Sequence, residues 1–205
     1  MLKTKIAVLV SGGGTNLQAL LDAQSQGILR SGEVALVVSD NPNAYALERA
    51  RCCGVEAVVL DKAAYSARED FERDLRALLE ERGIALIVLA GFMRILSAAF
   101  TAAYEKRIIN VHPSLIPAFC GEGYYGLRVH QAALTYGVKL TGATVHFVNE
   151  IPDGGEILLQ KAVPVRRGDT PEILQRRVME QAEWKLLPRA CELVSKKLQK
   201  ERDSR

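Results

Sequence analysis

Apolar residues in the first half of the chain come in short unbroken runs. Five such runs, at 5–10, 34–39, 57–60, 85–90 and 108–111, are rich in Val, Ile and Leu at successive positions. A strand buried on both faces reads this way, as in a parallel sheet covered by helices on either side. Between the runs the apolar spacing widens to a helical one at 16–27, 44–53 and 68–82, with Gly27, Gly54 and Gly83 as C-terminal stops. In the third segment Phe71, Leu75, Leu78 and Leu79 share one helix face. Alternation of this kind predicts an open, doubly wound, mostly parallel α/β sheet of Rossmann-like type.

After Val111 the pattern changes. Two longer strands, at 142–148 and 157–165, are joined across a turn at 149–155 and predict an antiparallel hairpin added to the sheet. A long amphipathic helix is expected from Thr170 or Pro171 to about Lys197, capped by Asp169 and Thr170, with Pro171 first and Glu172 in its opening turn. With no linker, repeat or low-complexity stretch, the expectation is one domain over 1–205. Its first half, 1–110, ends on the fifth strand; its second, 111–205, holds a loop, the hairpin and the long helix.

Composition narrows the function classes. Hydrophobic residues at 48% and charged ones at 25% are ordinary for a globular chain and exclude a disordered one. The net charge of +3 is too small to argue for nucleic acid, and much of the excess lies in Lys196 to Arg205. The four cysteines form no Cys-x-x-Cys pair, and the three histidines are nowhere three or four residues apart, so no protein-held metal site is expected. The apolar start at 6–10 is far shorter than a signal or membrane segment, which points to the cytoplasm.

Three places carry candidate chemistry. Ser11-Gly12-Gly13-Gly14-Thr15-Asn16 follows the first strand and opens a helix. It reads as a tight turn or as a phosphate cradle, since glycines bring backbone N–H groups close and a helix N-terminus favours an anion. It matches neither the dinucleotide nor the Walker pattern. Asn110-Val111-His112-Pro113 stands at the C-terminal end of a strand, where ligands of open α/β sheets bind. Strand alternation puts Asn110 and His112 on one side, two donors suited to an oxygen that becomes negative; the alternative for His112 is a structural role. Asp153, in the turn Asn149-Glu150-Ile151-Pro152-Asp153-Gly154-Gly155, serves either local turn bonding or, if the hairpin folds over the strand ends, as a carboxylate that keeps His112 charged.

Taken together, SGGGTNLQALLDA (11–23), VVSDNPNAYALERA (37–50), LAGFMRILS (89–97), NVHPSLIPAF (110–119) and TGATVHFVNEIPDGGEILLQKAVPV (141–165) resemble the phosphoribosylglycinamide formyltransferase family over nearly the whole chain. These are the folate-dependent transformylases of glycinamide ribonucleotide (GAR) in purine biosynthesis. The resemblance implies formyl transfer from 10-formyltetrahydrofolate to the GAR amine, with Asn110 and His112 at the oxyanion and Asp153 managing the proton. It implies GAR binding by Gly14, Thr15, Asn16 and the stretch Glu180, Gln181, Ala182, Glu183, with Glu183 on the amine. It implies folate binding by Arg68, Met93, Arg94, Ile95, Leu96, Asn110 and Asn149, Glu150, Ile151, Pro152, Asp153. Two small molecules are then the partners, without metal, nucleic acid or membrane, for a monomer or homodimer. The departure is Cys120–Val129, where many relatives have a shorter loop; the longer Gly- and Tyr-rich segment is expected to act as a flexible cover. His130 is structural or adjacent to substrate, and His146 belongs to the core or supports the site. The alternatives are a formyltetrahydrofolate hydrolase, which would carry an N-terminal regulatory domain, a tRNA formyltransferase with a basic C-terminal extension, or a non-catalytic folate- or nucleotide-binding protein.

Overall fold

A computed structural model describes residues 2–204. Seven strands form one sheet in the order β3-β2-β1-β4-β5-β6-β7. The five buried runs become β1 (Thr4–Val10), β2 (Gly32–Ser39), β3 (Glu56–Val59), β4 (Leu86–Leu89) and β5 (Ile108–His112), and all their pairings are parallel. Alternate residues of β1 show why its pattern is unbroken. Ile6, Val8 and Val10 pack into a core under α1 (Thr15–Ser25) and the C-terminal helices, whereas Ala7 and Leu9 pack into a second core with Phe71, Leu75 and Leu79 of α3 (Arg68–Glu81). A strand with helices on both faces has no solvent side, so every position is apolar. The short helix α2 (Tyr45–Cys52) joins β2 to β3.

The hairpin forms as expected. The strand β6 (Leu140–Phe147) pairs antiparallel with both β5 and β7 (Ile157–Pro164), so it extends the sheet beside the strand that carries Asn110 and His112. Two helices lie where none is expected: α4 (Ala98–Ala103) and α5 (Leu127–Tyr136). The segment expected to be a cover over 120–129 is thus partly helical. Its turns end at Gly126, after which Val129, His130 and Ala133 are buried on one face of α5.

The long C-terminal helix forms as expected and continues to Asp203, with an irregular stretch inside it. It runs as α6 (Pro171–Val178), a five-residue π segment (Met179–Glu183) and α7 (Trp184–Asp203). Its start is as read, with the Thr170 side chain accepting from the Ile173 N–H and Pro171 in the first turn. Pro188 lies inside α7 and has no N–H for the Trp184 carbonyl four residues earlier.

The sheet has its switch point between β1 and β4, because the chain winds outward through β2 and β3 and then returns to the other side of β1. The C-terminal ends of β1 and β4 diverge there and leave a crevice. It is bridged by the Ser11 N–H donating to Gly91 O (3.2 Å) and the Met93 N–H donating to Ser11 Oγ (3.0 Å).

Candidate active site

At the end of β5, Asn110 and His112 point to the same side, and β6 supplies a third polar residue. The antiparallel register sets His146 opposite Asn110, with Asn110 Nδ2 3.2 Å from His146 Nε2. The turn after β6 then folds Asp153 over this row. Asp153 adopts the left-handed backbone (φ 56), which Asp tolerates better than most residues. Gly155 is needed close by, since a Cβ there would overlap the Phe147 carbonyl. The Asp153 carboxylate collects four neighbours: Asn110 Nδ2 donates to Oδ1 (3.3 Å), the Gly121 N–H donates to Oδ2 (2.9 Å), His112 Nδ1 lies 3.3 Å from Oδ2 and His146 Nε2 3.4 Å from Oδ1.

Burial pushes the Asp153 pKa up, but His146, His112 and the Gly121 N–H more than offset it, so the carboxyl sits below its ordinary value and is ionised at neutral pH. The His112 imidazole is only 4% exposed, and burial is its dominant influence. Asp153 and the Phe119 carbonyl pull its pKa up without cancelling burial, so the net direction is downward. The contact expected between these residues is therefore present, with Asp153 favouring the charged imidazole as expected and burial opposing it more strongly. The other ring nitrogen, Nε2, lies 2.8 Å from Phe119 O and donates to it, because a carbonyl only accepts. Negative charge developing nearby would oppose burial and favour the imidazolium beside Asp153.

This cluster opens into a cavity of about 490 Å³. Met93, Arg94, Ile95, Leu96, Asn149, Ile151 and Pro152 line it with Asn110, His112 and Asp153, and Gly121–Gly126 form one wall. The folate residues expected from sequence are thus largely brought together. Arg68 is the exception; it is exposed at the start of α3, near Glu69 (3.9 Å), away from the cavity lining. Glu150 is exposed in the turn and also off the lining.

Gly14, Thr15 and Asn16 form the start of α1. Gly14 has φ 72, and a Cβ there would stand 2.6 Å from Ala46 Cβ, so the position requires glycine twice over. Asn16 Nδ2 donates to Glu183 Oε2 at 2.7 Å. The π segment makes this contact, and π turns are frequent where a helix must redirect a functional side chain. Within the stretch 180–183 only part faces the site: Glu180 is exposed, and Ala182 is corrected to a core position, fully buried among Val178, Leu186 and Leu187.

Burial without a countercharge pushes the Glu183 carboxyl up to about 7, against which the Asn16 donor works only in part. Such a group holds a proton in the folded state that it has lost in the unfolded one, so its contribution to stability declines as pH rises from the ordinary carboxylate range through about 7. The loss amounts to about 3 kcal/mol at 1.36 kcal/mol per unit. Glu183→Gln is expected to become the more stable protein relative to wild type as pH rises from about 5 to about 8. Urea unfolding at both pH values checks this, and a stability difference that stays constant would contradict it.

The residues that sequence reasoning missed are main-chain or register-dependent. The Gly121 N–H and Phe119 carbonyl fix Asp153 and His112; His146, expected in the core or in support of the site, is 1% exposed and braces both Asn110 and Asp153, partners that needed the register. The Asn110–His146 contact was foreshadowed only by the hairpin. His130 is 1% exposed and, among the described residues, neither ring nitrogen has a partner; burial, followed by the nearby His112, lowers it to about 4. Among the described residues there is no cluster of His, Cys, Asp or Glu able to hold a metal ion, and no helix long and apolar enough to cross a membrane.

Two neutral or switchable donors beside an ionised carboxylate, with no nucleophile poised among them, define a site equipped to stabilise the oxyanion of an acyl transfer. Residues 4–191 match the formyl transferase family, and the chain belongs to it. Phosphoribosylglycinamide formyltransferase of Escherichia coli strain K12 is 42% identical over 86% of this chain and 80% of its own length. The crystal structure of glycinamide ribonucleotide transformylase 1 from Symbiobacterium toebii superposes with a TM-score of 0.88 at 46% identity, covering 95% of this chain and 88% of that one. The trifunctional purine biosynthetic protein adenosine-3 of Gallus gallus is 44% identical over 94% of this chain, which spans only 18% of that longer protein.

Proposed function

We propose that the protein transfers the formyl group of 10-formyltetrahydrofolate to the terminal amine of GAR, a step of purine biosynthesis in the cytoplasm. The observation that carries this reading is the Asn110–His112–Asp153 cluster at the mouth of the cavity, on a chain so similar to the named transformylases. The GAR amine nitrogen bonds to the formyl carbon, giving a tetrahedral intermediate. The carbon–nitrogen bond to the folate then breaks, while one proton leaves the amine and one is taken up by the folate nitrogen.

In this reading Asn110 and His112 donate to the oxygen as it becomes negative. Asn110 is held by Asp153 and His146, and His112 by Asp153 and the Phe119 carbonyl, which fixes the aim of both side chains. Asp153 stabilises the imidazolium as it forms and relays the proton. Met93 to Leu96 and Asn149 to Asp153 hold the folate, with the exposed Arg68 reaching it from outside the cavity. Gly14, Thr15 and Asn16 hold the phosphate, and Glu183, with a pKa near 7, takes the amine once ionised. The four free cysteines suit a reducing compartment.

Purified protein mixed with 10-formyltetrahydrofolate and GAR should release tetrahydrofolate, and omitting GAR should stop the release. Equal release with and without GAR would identify a hydrolase instead, and no release in either case would refute formyl transfer.

A further inference from the structure

Three successive carbonyls of the glycine loop are held from one side, by α2 and the segment that leads into it. Asn41 Nδ2 donates to Ser11 O (3.2 Å), the Ala46 N–H donates to Gly12 O (3.1 Å) and Arg49 Nε donates to Gly13 O (2.7 Å). In a planar trans peptide the carbonyl and the next residue's N–H point in opposite directions. Fixing the oxygens of residues 11, 12 and 13 therefore turns the N–H groups of Gly12, Gly13 and Gly14 away from α2. Among the described residues these three amides donate to no protein acceptor. Gly12 and Gly13 are exposed, and a Cβ built on either would meet nothing within 4 Å. The first turn of α1 follows directly, with its own unsatisfied donors.

Arg49 is itself held in place. Its Nη1 donates to Gln18 Oε1 at 3.0 Å, and its guanidinium lies 5.0 Å from the centre of the Tyr45 ring. Half-buried, it offers a fixed positive charge on the back of a loop whose front is a row of free amides. A backbone concavity of convergent N–H groups is a site for an anion, and a cation behind it deepens the positive potential.

We infer that Arg49 is a positioning residue for the substrate phosphate, acting through the glycine loop rather than on the reacting atoms, with Asn41 and the Ala46 N–H as its companions. The inference rests on the proposed binding of GAR at this loop. It assigns to Arg49 a role the sequence motif does not reveal, because the clamp joins residues some thirty-six positions apart.

The test separates phosphate binding from chemistry. Arg49→Met keeps an apolar stem but removes both donors, and Arg49→Lys keeps the charge without the fork that spans Gly13 and Gln18. In Arg49→Met the KM for GAR should rise about tenfold, the scale of one lost charge-assisted contact. The value of kcat at saturating GAR and the KM for the formyl donor should stay within about twofold, and Arg49→Lys should fall between wild type and Arg49→Met. Inorganic phosphate, titrated onto each protein and followed by NMR at the glycine-loop amides, gives a readout that needs no turnover. Weaker phosphate binding in Arg49→Met, recovered in part by Arg49→Lys, supports the clamp even if GAR proves not to be the substrate. Equal phosphate affinity in all three proteins overturns it, as does a rise in KM for the formyl donor with none for GAR. Should Arg49→Met fail to fold, Asn41→Ala releases only the Ser11 carbonyl and should weaken phosphate binding by a smaller factor; unchanged binding there counts against the inference.

Discussion

His112→Ala is expected to lower kcat by roughly 10²–10³, the cost of losing one donor from an oxyanion site. The size follows from where the imidazole stands. It is nearly enclosed, so its contact with a developing oxyanion is poorly screened, and a charged donor there outweighs one in water. The effect should fall on kcat and kcat/KM alike, because an interaction made only in the transition state leaves substrate affinity untouched. Removing the ring also strips the Phe119 carbonyl and the Asp153 carboxylate of a partner, so a moderate loss of thermal stability should accompany it. Steady-state kinetics on a folded variant decide the matter. A near-normal kcat would remove His112 from the reaction.

Asp153→Asn is the second large effect, with an expected fall in kcat of roughly 10²-fold or more, the scale of positioned proton transfer. The carboxylate raises the His112 pKa against a burial that lowers it. Deleting its charge leaves burial opposed only by the Phe119 carbonyl, so the His112 pKa should drop further below the ordinary histidine value. The imidazolium needed beside the oxyanion then becomes harder to form at every pH. Asn retains the shape and one acceptor, and the turn that holds residue 153 in the left-handed region accepts Asn as readily as Asp, so the fold should survive. An NMR titration of His112 that is unchanged in this variant would break the pairing. So would a kcat that recovers wild-type values at any pH where His112 is neutral.

Both variants concern residues of uneven legibility. Asn110 and His112 were readable because strand alternation is a local property, and a strand ending next to a diverging crevice puts its last side chains there. The parallel sheet was readable for the same reason: β1 is apolar at successive positions because both faces are buried. Asp153 was not legible from pattern. Its approach to His112 depends on a left-handed turn and on Gly155 lying against Phe147, neither of which leaves a periodic trace; the turn alone left local bonding and a partnership with His112 as alternatives, and the family resemblance favoured the second. His146 required the register of β5 against β6, which a hairpin implies but does not specify. The helix α5 was hidden because its buried residues, Val129, His130 and Ala133, follow a run of glycines and tyrosines that reads as loop. The π segment before α7 leaves no trace in a simple amphipathic count.

The contacts made by Phe119 and Gly121 lie beyond any side-chain pattern, since main-chain atoms carry them. They matter because they hold His112 and Asp153 in place. Phe119 has φ 52, an uncommon conformation for an aromatic residue, and such strain is typical where a loop must yield to a ligand.

The most direct measurement is the destination of the formyl carbon in a single turnover. Protein in excess is mixed with GAR and with 10-formyltetrahydrofolate carrying an isotopic label in the formyl group, and the products are separated by mass. The account predicts that the label appears as an amide on the GAR amine, quickly in wild type and roughly 10²–10³ times more slowly in His112→Ala. Label recovered as formate at a rate indifferent to GAR, or transferred equally fast by His112→Ala, would contradict it.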